Sequence, residues 1–102
     1  MIKPYTVERL REAHISAVDQ AVRFVNDGLI TAIRSNGKEI KIDVPEYFSS
    51  KIIKEALKKF EEVGYRVRVD GLEDNCAIVY EPAYQWIWFD TCILHKMIGE
   101  LT

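Results

Sequence analysis

The chain has 102 residues, of which 48% are apolar and 29% charged, with a formal net charge of −2 and an isoelectric point near 5.7. That length supports one hydrophobic core, so a single domain over 1–102 is expected, and the composition excludes disorder. The missing basic excess argues against duplex nucleic acid as a partner.

No run approaches the eighteen apolar residues of a membrane helix, and "MIKPYTVERL" lacks the apolar stretch of a signal peptide. A cytoplasmic protein that does not engage membranes is therefore expected.

In chain order, Val7–Ser35 reads as a long helix capped by Thr6, with Glu8 and Glu12 near its positive end. Val7, Leu10, His14, Ala17, Val18, Ala21, Val22, Val25, Leu29 and Ala32 recur at three- and four-residue steps and form one apolar stripe. Phe24, Ile30 and Ile33 widen it. Gly28, in "NDG", is a weak point that leaves open whether the helix breaks, although the apolar pattern resumes on the same face, and "SNG" at 35–37 is a stop with Gly37 available for a left-handed conformation.

"KEIKIDV" alternates Ile40, Ile42 and Val44 with Glu39, Lys41 and Asp43, the pattern of a half-buried strand that Pro45 ends. Ser49 caps a second helix, with Phe48 and Ile53 placed as a hydrophobic staple and Gly64 as its C-terminal stop. "YRVRVD" is the next strand. A turn at "GLEDN" leads to a third, "CAIVYE", and Pro82 and Ala83 break before "YQWIWF", read as an aromatic fourth strand. Asp90 is placed to cap a final helix bearing Ile93, Leu94, Met97 and Ile98 on one side.

The resulting order is αβαβββ with a helical tail. It predicts an α+β two-layer sandwich with a mixed four-stranded sheet and helices mainly on one face. The strand–helix–strand unit over 38–70 should give parallel strands with a right-handed crossover if they pair. The last three strands, joined by short turns, should be antiparallel.

A long helix ending in "SNG", then "KEIKIDV", a helix ending in "LKKFEEVGYRVRV" and a tryptophan-bearing hairpin together resemble small uncharacterised proteins of tailed bacteriophages, over roughly residues 15–89. The final helix and the doubled tryptophan depart from that pattern. The resemblance implies a viral origin and a binding role against a host protein or host signalling molecule, in the host cytoplasm. It carries no active-site residues.

The residues themselves point away from catalysis. His14 and His95 are lone helical histidines, and sites need convergent partners. Cys76 and Cys92 lack a paired spacing and read as reduced, buried thiols. His95 and Cys92 could share a metal, but two ligands fall short of a structural zinc site. Ser49 and Ser50 sit in no nucleophile elbow. Asp43, Asp70, Glu73, Asp74 and Glu81 place carboxylates near strand ends, where a small hydrolase is the least favoured reading. No phosphate loop, dinucleotide fingerprint or calcium loop is present, so neither metal, cofactor nor catalytic residue is assigned.

Binding is where the sequence is informative. Lys41, Arg66 and Arg68 fall on the polar side of their strands, and share a face if the first two strands are neighbours. Arginine forks suit phosphate or carboxylate. On a strand, Tyr84, Trp86 and Trp88 point one way and Gln85, Ile87 and Phe89 the other. Either phase leaves large apolar groups needing cover, from a second subunit, the last helix or a stacked ligand. These six residues, Lys41, Arg66, Arg68, Tyr84, Trp86 and Trp88, form the candidate ligand-binding set. The expected function is a non-enzymatic, homo-oligomeric binding protein that inhibits or sequesters a host component, a host protein or a nucleotide-type defence signal. A virion assembly protein is the alternative.

Overall fold

A computed structural model describes residues 2–35, 37–70 and 75–101. Among these, α1 spans Val7–Arg34, β1 Glu39–Asp43, α2 Ser50–Glu62, β2 Val67–Val69, β3 Ile78–Glu81, β4 Trp86–Asp90 and α3 Thr91–Leu101. This is an α+β fold with a mixed four-stranded sheet.

Capping chemistry sets the helix starts. The Thr6 side chain accepts from the Arg9 N–H at 3.1 Å and the Ser49 hydroxyl from the Ile52 N–H at 3.3 Å. An Asp90 carboxylate oxygen accepts from the Ile93 N–H at 3.0 Å. Each satisfies a backbone donor that the helix cannot. Phe48 and Ile53, flanking the Ser49 cap, are both buried in the core cluster.

The helix does not break at the weak point: α1 runs through Gly28. The glycine answers to packing rather than to a turn: a Cβ there would lie 2.5 Å from Phe89 Cζ and 3.2 Å from Ile42 Cδ1. Ala21, Val25 and Ala32 continue the same buried face, so small residues let the helix lie close against the sheet. The end of α1 also differs. Ser35 terminates it in an extended conformation (ψ 147°), whereas the left-handed glycine is Gly64 after α2, at φ +104°. Asn36 of "SNG" and residues 71–74 of "GLEDN", including Glu73 and Asp74, lie outside the described residues.

The strand order is β1-β4-β3-β2. β1 pairs antiparallel with β4, β4 antiparallel with β3, and β3 parallel with β2. One condition is not met and one expectation is corrected. The strands of the β1–α2–β2 unit do not pair; they form opposite edges with β4 and β3 inserted between them. The β2–β3 pair is parallel, not antiparallel, with Ala77 and Ile78 N–H groups both donating to the Arg66 carbonyl.

The inward sheet face supplies Ile78, Tyr80, Ile87 and Phe89, which join residues of α1, α2 and α3 in one core cluster. The Tyr80 hydroxyl donates to Ser50 Oγ at 3.3 Å, and the buried Thr91 hydroxyl to the Gly37 carbonyl, so both buried polar ends are satisfied.

Candidate binding surface

Among the described residues, α1, α2 and α3 all place side chains in the inward core cluster, so the helices pack on one face of β1-β4-β3-β2 and the other face is the one opposite them. Strand alternation decides what it carries. Ile87 and Phe89 are fully buried inward, so Trp86 and Trp88 point outward, each half-buried. Register then builds cross-strand rows. Lys41 lies opposite Trp88, Trp88 opposite Val79 and Val79 opposite Arg68. The neighbouring row is Asp43, Trp86 and Glu81.

Val79 is the informative member of this surface. It is 0% exposed, yet it lies outside the core cluster. Its row neighbours are Trp88 and Arg68, so this face has a buried apolar residue of its own. Lys41 places its Nζ 4.5 Å from the centre of the Trp86 ring, a diagonal cation–π contact across two strands. The rim carries both signs: Glu39, Asp43, Glu81 and Asp90 beside Lys41 and Arg68.

Four of the six sequence-derived residues therefore come together: Lys41, Arg68, Trp86 and Trp88. Two do not. Tyr84 is not on the strand; it sits in the turn at 82–85 and is 75% exposed, with its N–H bonded to the Glu81 carbonyl. Gln85, at φ +50°, redirects the chain before β4 begins and breaks the assumed alternation there. Arg66 precedes β2 and reaches Glu100 of α3 at 4.0 Å, away from the tryptophans. Lys41 and Arg68 do not form a shared basic patch either, because β1 and β2 are opposite edges. Three strand spacings put about 14 Å between them.

The remaining candidates settle as structural or surface groups. His14 pairs with Glu55, Nε2 to Oε2 at 2.6 Å, both partly exposed. His95 is exposed. Neither cysteine is fully buried, since Cys76 is half-buried and Cys92 exposed. That corrects the expectation of two core thiols: Cys92 falls on the solvent side of the first turn of α3. No group of three metal-ligating side chains occurs among the described residues. Asp70 is a turn residue at φ +67°.

Sequence reasoning missed Val79. Its signal was the unbroken apolar run "AIVY", which leaves no polar position for an exposed face. No helix among the described residues is long and apolar enough to cross a membrane. No family model matches the chain, and neither a curated protein nor a solved structure matches it.

Proposed function

We propose that this chain is a non-enzymatic binding protein that acts as a homo-oligomer through the sheet face opposite its helices, capturing a host component in the manner its phage-like sequence implies. The observation that carries the reading is the pair of half-buried indoles, Trp86 and Trp88, pointing outward from the sheet face opposite the helices. Aromatic side chains are enriched at the centres of protein interfaces, with charged groups at the rim. The mixed-sign rim suits a second copy of the same face rather than a uniformly charged partner.

Sedimentation equilibrium of the wild type and Trp88→Glu tests it. The wild type is expected to exceed the 11.8 kDa chain mass at micromolar concentration. A carboxylate placed among Glu39, Asp43, Glu81 and Asp90 is expected to weaken association by about thirtyfold or more, the scale of a hot-spot loss. A monomeric wild type, or a folded variant with unchanged mass, rejects the reading.

A nucleotide-type signal is the second reading, favoured by the cations at both ends of the Trp88 row. It is weaker, because Lys41 already occupies a face of Trp86 and must leave for a base to stack there. Calorimetric titration with a panel of cyclic nucleotides decides it: heat that Arg68→Ala abolishes supports it, and no heat with any member rejects it.

A further inference from the structure

We propose that the N-terminal stretch of α1 is a docking arm for a second copy of this chain, its Val7–Leu10 face seating in an apolar groove at the far end of the partner's α1. This surface is separate from the tryptophan face and does not depend on it.

The arm continues the core stripe past the last residue that the core buries, Val18. Residues 2–13 are all exposed, including Val7 at 75% and Leu10 at 56%. Yet Val7, Leu10 and His14 stand at the same helical phase as Val18, Ala21 and Val25, which the core buries. Helix α1 has 28 residues, about 42 Å of length, against a longest sheet strand of five residues, about 17 Å.

The groove lies between the C-terminal part of α1, the α2–β2 turn and α3, with a volume of about 420 Å³. Ile30, Ile33, Val63, Leu94, Met97 and Ile98 line it. The Arg66–Glu100 pair stands at its rim. Ile30, Val63 and Ile98 are each exposed, so the groove, like the arm, lacks cover.

The two features cannot meet within one chain. They sit on the same unbroken helix, with Leu10 and Ile30 about 30 Å apart along it. Only another copy can bring an arm to a groove. Areas agree with such an exchange. The chain exposes 7360 Å², whereas a compact monomer of 11.8 kDa exposes about 5,900 Å². The excess of about 1,500 Å² per chain is ample for a specific interface, to which each partner gives about 800 Å². The radius of gyration, 15.5 Å, likewise exceeds the value of about 13 Å for a compact chain of this length. Both surfaces carry both signs of charge at their margins, Arg9 with Glu12 on the arm and Arg66 with Glu100 at the groove. No block of like charge opposes their approach.

The test uses two full-length variants, Leu10→Glu in the arm and Ile98→Lys in the groove. Both positions are substantially exposed and both charges suit the helix ends they stand near, so circular dichroism should remain that of the wild type. Each variant alone is expected to self-associate at least about tenfold more weakly than wild type in sedimentation. Mixed in equal amounts, they are expected to regain association. One arm–groove contact in the mixed pair is then native and the other brings the glutamate to the lysine. A wild type that stays monomeric to about 1 mM overturns the proposal. So does a Leu10→Glu variant of unchanged mass, an effect at Leu10 with none at Ile98, or a mixture no heavier than its parts.

Discussion

At Gly28 two local rules oppose each other. Helix propensity favours replacing a mid-helix glycine with alanine by about 1 kcal/mol, but the backbone there rests on the Phe89 ring. A new Cβ would stand 2.5 Å from Cζ and 2.8 Å from Cε2. Phe89 is fully buried and its ring is rigid, so it has no room to yield, and overpacking typically costs about 1–3 kcal/mol. Gly28→Ala is therefore expected to destabilise the fold by about 1 kcal/mol, read as a lower urea midpoint at unchanged slope. A stabilised variant would mean that α1 rides farther from the sheet than described. Position 28 was visible in the sequence only as a weak helical residue, because propensity is local and the ring that requires a glycine is 61 positions away. Tyr84 was misplaced for a related reason. Its alternation with Trp86 held on paper, but Gln85 adopts a left-handed conformation that no periodicity reveals.

Among the elements, what the sequence disclosed was what neighbours in the chain determine. Thr6, Ser49 and Asp90 cap their helices because a short polar side chain satisfies N–H groups three residues on. The outward phase of Trp86 and Trp88 follows from Ile87 and Phe89 being the inward pair. Strand order was hidden, since alternation states which face a residue takes but not which strand lies beside it. A parallel β2–β3 pair runs against the shortness of its link, because parallel neighbours ordinarily need a crossover of a dozen residues or more. It is allowed here because β2 is three residues long. The link over 70–77 can span about 26 Å when extended, more than twice the length of that strand. The consequence reaches the site. With β4 and β3 between the edges, the cations that would have been neighbours in a β1–β2 pair flank Trp88 and Val79 instead.

At the scale of the whole molecule, the two proposed surfaces predict an assembly. A sheet face meeting its own copy is a two-fold contact, and a reciprocal arm–groove exchange is a second, different two-fold contact. Two such axes crossing at right angles close into a four-chain assembly with dihedral symmetry; skewed axes would give open chains. A sequestering protein needs the closed form, whereas a virion assembly protein needs the open one. Light scattering is therefore expected to show a plateau at four times the 11.8 kDa chain mass as concentration rises. Trp88→Glu and Leu10→Glu should each reduce it to a dimer, built through the surface left intact. The double variant should be a monomer, because the two sites share no residue and their losses should add. A mass that climbs without limit would transfer the function to the assembly reading. A single variant that already yields monomers would leave only one of the two surfaces as an interface.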